Sequence, residues 1–376
     1  MLANVSPPEA DAGSYPSVAF SHDIFVAQRA GGITRCMLEL MHGLSAIGTG
    51  WSAFSGSHDN GMLRAAQASD WGKGRIAAPD TEAAAFIPFA RQERRFARWL
   101  ENSSAKVLHR TYYAPVDLAR ALPRVETLHD MWSERRPSRG DARAALRSIV
   151  KRRALQRADL VVCVSEHTRS EALAVWPWLE GRTTVIPHGV RRLSATPVPP
   201  EAPRPYFLFV GKRPLYKNFA LAARSLAQAN LPDHDLICFG GGPLDASELA
   251  LIDELGLAGR VRQQAGDDDR LAGLYEGADA LLYPSRYEGF GLPVLEAMVH
   301  DCPVLCGDQT SLPEVAGDAA LLLSPDLPEA WSKAMERIVH SGELREELRI
   351  AGRAQAARFS WESSALAHAK AYAMLV

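Results

Sequence analysis

"ADALLYPSRYEGFGLPVLEAMVHDCPVLCGD", residues 278–308, holds an apolar run, a glycine-rich loop, a helical pattern and a second apolar run. "ADALLYPS" (278–285) reads as a buried strand. "PVLEAMVH" (293–300) reads as a helix, with Pro293 suited to its first position. "CPVLCGD" (302–308) reads as the next strand. Near-continuous apolar strands separated by a helix imply a parallel sheet covered on both faces. The loop between carries the chemistry. Gly289 and Gly291 let the backbone approach a ligand closely. Amides around Phe290 to Leu292 sit at a helix N-terminus, where they attract anions such as phosphate. Glu288 projects from the loop, and Glu296, placed in the first helical turn, faces the same side. Carboxylates only accept hydrogen bonds and pair well with vicinal hydroxyls. One on a sugar and one on a ribose, with a diphosphate between, make a coherent nucleotide-sugar site. The bland alternative is that Glu296 complements the helix dipole.

The same alternation runs along the rest of the chain. Five candidate strands come first: "SVAFSH" (17–22), "AKVLHR" (105–110), "VETLHD" (125–130), "ADLVVCVS" (158–165) and "TTVIPHG" (183–189). A proline-rich stretch, "LSATPVPPEAPRPY" (193–206), reads as a linker. After it come "YFLFVG" (206–211), "HDLICFGG" (234–241), "GRVRQQAG" (259–266), the two strands of the opening stretch, and "AALLLSP" (319–325). The expected fold class is α/β, with two Rossmann-like, doubly wound parallel-sheet domains facing across a cleft. Ligands bind beyond the carboxyl ends of such strands. The expected layout is a disordered lead-in over 1–16, an acceptor-binding domain over 17–195 and a linker over 196–205. A nucleotide-sugar-binding domain over 206–357 and a C-terminal helix over 358–376, returning to the first domain, complete it.

The chain of 376 residues is long for one core and comfortable for two. Residues 1–200 hold 26 Lys+Arg against 19 Asp+Glu, and residues 201–376 hold 16 against 25. The basic half suits an acidic or membrane-associated partner. Five scattered cysteines show no zinc or disulfide spacing, which points to a reducing compartment. The N-terminus lacks the basic flank and apolar core of a signal peptide. No run approaches the ~18 apolar residues of a membrane span.

"EGFGLPVLEAM" (288–298), followed by "CPVLCGDQTSLPEVAGDAALLLSP" (302–325), resembles glycosyltransferase family four, whose members are retaining nucleotide-sugar transferases of the GT-B fold. "FVGKRPLYKNF" (209–219) resembles that family's phosphate-binding strand and loop, and "LHDMWSE" (128–134) its histidine-bearing loop. "VAQRAGGITRCMLEL" (26–40) resembles its glycine loop. "VSEHTRSEAL" (164–173), "VIPHGV" (185–190) and "RFSWESSA" (358–365) match as well. The resemblance implies that Glu288 contacts the donor sugar, Glu296 the nucleotide ribose and Lys217 the diphosphate. Lys212 or Arg213 assists, with Lys212 preferred because it directly follows Gly211. Gly31 and Gly32 bring amides to the diphosphate, His129 lies over the donor sugar, and the backbone near Ala265 and Gly266 meets the base. His188 stands where relatives often have Asn.

Lysines and helix-end amides take the place of a metal in this reading, so no cofactor or metal is expected. "GDDDR" (266–270) resembles an Asp-x-Asp metal motif, but an Asp at 268 or 269 reads as a helix cap. "FGGGP" (239–243) reads as a turn, and Asp130 as a residue that fixes its loop. The basic stretch 135–157 has nine Lys/Arg and one acid. With the apolar stripe Ala145, Leu146, Ile149 and Val150 it suits an anionic membrane surface; a solvated helix packed on its own domain is the alternative. Nucleic acid is not expected, because aromatic interleaving is absent. The expected partners are a nucleotide-sugar donor and a glycan or lipid-linked acceptor, in the cytoplasm or at the inner membrane face. Resemblance to bacterial mannosyltransferases favours GDP-mannose. The rivals are a UDP-sugar donor, an epimerase or hydrolase on the same fold, and a non-catalytic sugar-nucleotide-binding protein.

Overall fold

The structure, a computed structural model, describes residues 15–77, 88–119, 122–135, 142–193 and 204–376. Most of the lead-in, most of the linker and residues 136–141 of the basic stretch lie outside the described residues. Contacts divide the chain into two units. One comprises the chain up to Val164, Glu171–Pro187 and Trp361–Val376; the other comprises Ser165–Ser170 and His188–Ser360.

The first unit holds seven strands: β1 (Val18–Phe20), β2 (Trp51–Phe54), β3 (Ile76–Ala77), β4 (Val107–Arg110), β5 (Arg124–Leu128), β6 (Leu160–Cys163) and β7 (Thr183–Val185). They pair in parallel in the order β3-β2-β1-β4-β5-β6-β7. All five sequence-read strands are present. β2 and β3 were not anticipated. β2 alternates buried and half-buried residues instead of forming a continuous apolar run, and β3 has two residues. The sheet order reverses direction between β1 and β4, so the loops after those strands diverge at the carboxyl edge.

A helix downstream of the second unit, Trp361–Ala373, packs on Gly32–Ala46 of the first. Gly43 makes the approach feasible, since a Cβ there would lie 2.9 Å from both Ala365 Cβ and the Trp361 carbonyl oxygen. The same helix reaches the sheet through buried polar contacts. His109, on β4, meets Tyr372 Oη at 2.7 Å through Nδ1 and Thr127 Oγ1, on β5, at 2.8 Å through Nε2. His368 stacks on His109 with ring centroids 5.8 Å apart and meets the Ser364 carbonyl at 2.8 Å.

The second unit holds β8 (Tyr206–Val210), β9 (Asp235–Phe239), β10 (Val261–Gln264), β11 (Ala280–Tyr283), β12 (Val304–Gly307) and β13 (Leu321–Leu323). All pair in parallel, in the order β10-β9-β8-β11-β12-β13. That is the dinucleotide-fold order, with its reversal between β8 and β11. Phe207, Leu236, Cys238, Leu282, Leu305 and Trp331 are fully buried in its core. Each such apolar side chain contributes roughly 1.5–3 kcal/mol by leaving water. All five cysteines are buried free thiols. Among the described residues, no helix is long and apolar enough to cross a membrane.

Candidate functional site

β8 and β11 are neighbours at the reversal of the second sheet, so the loops that follow them border one crevice at its carboxyl edge. The loop after β8 ends in Lys217, and the loop after β11 carries Glu288. Lys217 Nζ lies 2.5 Å from Glu288 Oε1 and 2.7 Å from Tyr283 Oη, with the ammonium 4.8 Å from the Tyr283 ring centre. Tyr283 ends β11 and is buried. Burial, then the neighbouring Glu288 carboxylate, pushes its phenol well above the usual range, so it stays a neutral hydrogen-bonding group. Both charged side chains keep slight exposure, 16% for Lys217 and 12% for Glu288, so a ligand can reach them. The cation and the carboxylate neutralise each other.

The helix after this loop is Leu292–Val299. Gly291 takes a left-handed conformation (φ 108°) and starts the helix at Leu292, so Pro293 is its second residue and not its first. Glu296 therefore falls in the second turn, which corrects its expected first-turn place. Its carboxylate accepts a 3.1 Å hydrogen bond from Tyr275 Oη. A side chain at 291 would be strained by that φ, and its Cβ would also lie 2.7 Å from Leu312 Cδ2. Gly289, Phe290, Gly291 and Leu292 give four successive backbone N–H groups with no acceptor among the described residues. Phe290 itself is buried, edge-on to His188 with ring centroids 5.3 Å apart. His188 therefore packs beneath the loop.

Of the two cations near the start of the β8 loop, Arg213 is committed to structure. Its guanidinium donates to Glu248 and to the carbonyls of Gly240, Gly242 and Pro243, at 2.8–3.1 Å. It thereby holds the "FGGGP" turn, where three glycines have positive φ. Lys212 is exposed. Ala265 and Gly266 are exposed just after β10, at the carboxyl edge of the same sheet but two strands from β8. The cap in "GDDDR" is Asp267, whose carboxylate accepts from Arg270 N at 3.0 Å. The expected cap, Asp268 or Asp269, lies within the helix Asp268–Gly277, because that helix begins one or two residues earlier than such a cap implies.

In the first unit, Gly31 and Gly32 open the helix Gly32–Ala46, and no side chain caps its N-terminus. His129 follows β5. Burial pulls its pKa down to about 4, against the opposing pull of Asp130, so the imidazole is neutral at physiological pH. Asp130 fixes its loop, accepting from Trp132 N at 3.1 Å, while Lys151 donates to the Asp130 carbonyl at 2.9 Å and to Glu134 at 2.8 Å. Lys151 thus turns inward from the helix Ala142–Arg157. Leu146 and Ile149 on that helix are 61% and 48% exposed, whereas Val150 packs on the core. His22, Asp23 and Glu93 bring possible ligand atoms within 4.8 Å of one another. The positive charge there is supplied by Arg110, which bonds Asp23, Glu93 and Asp117.

Sequence reading missed five residues that shape the loop after β11: Tyr283, Ser165, Thr168, Thr310 and Ser311. Thr310 Oγ1 accepts from Glu288 N at 3.1 Å, and Thr310 adopts φ 60° to do so. A β-branched residue in that region is strained by about 1–3 kcal/mol. For Thr310 and Ser311 the available signal was the pair of hydroxyl residues shortly after β12, "TS" in "GDQTSL".

Two family models cover most of the chain: Glycosyltransferase Family 4 matches residues 30–192, and Glycosyl transferases group 1 matches residues 195–355. An O-antigen chain mannosyltransferase B from Escherichia coli is 44% identical over 108 residues, 29% of this chain and 28% of that relative. The chain thus spans well under half the length of this curated relative. A sucrose-phosphate synthase from Thermosynechococcus elongatus matches 96% of this chain and 99% of its own, with TM-score 0.73 and 21% identity. Anabaena HepE, solved in complex with UDP-glucose, matches 96% of this chain and 100% of its own, with TM-score 0.74 and 15% identity. At those identities the two structures speak for the fold alone.

Proposed function

The chain belongs to glycosyltransferase family four and has the GT-B fold, and from that premise we propose a retaining hexosyltransferase acting in cell-surface polysaccharide biosynthesis. Its donor is a nucleotide sugar, GDP-mannose in the first instance, and its acceptor a glycan or lipid-linked saccharide. The observation that carries the reading is one cluster. Lys217 and Glu288 meet at 2.5 Å beside four successive open amides at a helix start. A nucleotide sugar answers each part. Its diphosphate takes Lys217, with Lys212 in support, and the amides of Gly289 to Leu292. Its sugar hydroxyls take Glu288, its ribose takes Glu296, and its base lies near Ala265 and Gly266.

The bond from the anomeric carbon to the diphosphate oxygen breaks, and the acceptor oxygen bonds that carbon on the same face. The acceptor proton passes to the departing diphosphate. Charge growing on that diphosphate is stabilised by Lys217 and the amides, the kind of preorganised donor set that contributes most to such catalysis. The roles given to Gly31, Gly32 and His129 rest on the family resemblance; His129, neutral at physiological pH, would act as a hydrogen-bonding group and not as a charge. No metal is required in this scheme.

A screen of nucleotide sugars, followed as transfer or slow hydrolysis and as thermal stabilisation, tests the reading. GDP-mannose should be consumed at an undiminished rate in EDTA. Consumption of UDP-glucose instead would move the donor to the UDP class. Activity abolished by EDTA and restored by Mg²⁺ or Mn²⁺ would overturn the metal-free scheme. No binding of any nucleotide sugar would overturn the function. The exposed Leu146 and Ile149 beside Arg152 and Arg153 further support peripheral contact with the anionic inner membrane face. Vesicles containing anionic lipid should sediment the protein, and Ile149→Asp should release it. Equal sedimentation with neutral vesicles would count against this contact.

A further inference from the structure

The four open amides have a common cause in the same loop. A trans peptide unit is planar, so its N–H points opposite to its C=O, and no peptide bond among the described residues is cis. Whatever holds the carbonyl therefore aims the amide. Ser311 Oγ reaches the Glu288 carbonyl at 3.0 Å and the Phe290 carbonyl at 2.8 Å, one hydroxyl hydrogen serving both. The Gly289 carbonyl accepts from Ser165 Oγ at 2.7 Å and Thr168 Oγ1 at 2.9 Å. The Gly291 carbonyl accepts from Val294 N at 3.0 Å. Four successive carbonyls are thus held from the protein side, which turns the N–H groups of Gly289, Phe290, Gly291 and Leu292 away from their captors. Ser165, Thr168 and Ser311 are completely buried, so these hydroxyls have no exchange with solvent to make up for a lost carbonyl.

We propose that Ser311, Ser165 and Thr168 are positioning residues that aim the donor-loop amides at the diphosphate. Resting on the function proposed above, the inference adds a role for residues that do not touch the donor. Three side chains drawn from "VSEHT" and "QTSL" act together on one loop. The two clamps differ in reach. Ser311 governs the amides of Gly289 and Gly291, while the Ser165–Thr168 pair governs that of Phe290.

The test measures binding of inorganic pyrophosphate, GDP, UDP and the matching monophosphates by calorimetry, with turnover and melting temperature alongside. Ser311→Ala should weaken diphosphate and pyrophosphate binding about tenfold, the scale of one or two hydrogen bonds. Monophosphate binding and melting temperature should change little. The paired variant Ser165→Ala with Thr168→Val should do the same through Phe290 and covers the case in which Ser311→Ala fails to fold. Thr168→Ser, which keeps the hydroxyl, should retain wild-type affinity. Diphosphate affinity within twofold of wild type in both clamp variants would overturn the proposal. So would an equal loss for monophosphates and diphosphates, which marks a loop that has merely collapsed. Wild-type protein that binds pyrophosphate but no nucleotide would sink the nucleotide-sugar reading and leave the clamp standing.

Discussion

Lys217 and Glu288 pair with each other; on the proposed reading a donor replaces both partners, so loss of either has two effects. The variant loses an interaction in the complex and leaves the other charge uncompensated in the free protein. Glu288→Gln keeps the shape but weakens hydrogen bonds to the sugar as positive charge develops there. It should mainly lower turnover. Glu296→Gln should mainly weaken nucleotide binding, by roughly the 1.5–3 kcal/mol of a charged hydrogen bond, because the ribose does not change during reaction. Lys217→Ala should lower turnover by about 10²–10³-fold with the fold intact. Nucleoside diphosphate titrations beside donor turnover decide the matter; a Glu288→Gln variant that loses diphosphate affinity while Glu296→Gln keeps it would reverse the roles. Glu288 and Lys217 stood out in the sequence as candidates because glycines, a proline and a lysine stand at fixed places around strand ends. The hydroxyl residues that hold the loop carbonyls did not. Ser165 and Thr168 lie 123 and 120 positions before Glu288, and only the fold brings their hydroxyls to Gly289.

Eleven strands were legible as elements because parallel sheets buried on both faces make long apolar runs. β2 and β3 escaped for want of such runs. Boundaries slipped where one backbone conformation decides them. Gly291 and Asp267 each start a helix one or two residues from its expected place. The pairing of Gly32–Ala46 with Trp361–Ala373 rests on an absent side chain. Gly43→Ala would put a methyl 2.9 Å from the Trp361 carbonyl oxygen, a contact that backbone must move to relieve. The expected cost is ~1–3 kcal/mol, read as a lower urea midpoint with an unchanged slope. An unchanged midpoint would mean that the two helices separate at no cost.

Two neutral histidines tie that helix pair to the sheet and make the stability of the molecule depend on pH. Burial pulls His368 down to about 4, and burial with neighbouring His368 and His129 pulls His109 well below its ordinary 6.5. The unfolded chain binds protons at these sites below pH 6.5, whereas the folded chain resists them, so stability falls as pH drops from 6.5 towards 4. His368 alone is worth about 3 kcal/mol over that window. Urea midpoints at pH 7 and 5 should show the fall, together with faster amide exchange in Trp361–Ala373. His368→Gln should flatten the pH dependence; an equally steep dependence in that variant would place its origin elsewhere. The placement of the same helix also bears on the order in which the protein is made. It belongs to the first unit, yet the ribosome reaches it only after His188–Ser360. At about 5–20 residues per second, the nascent first unit waits roughly ten to thirty seconds with one face of Gly32–Ala46 uncovered. A chaperone has that interval in which to bind it, and a release factor acting early would leave a finished second unit attached to an unfinished first.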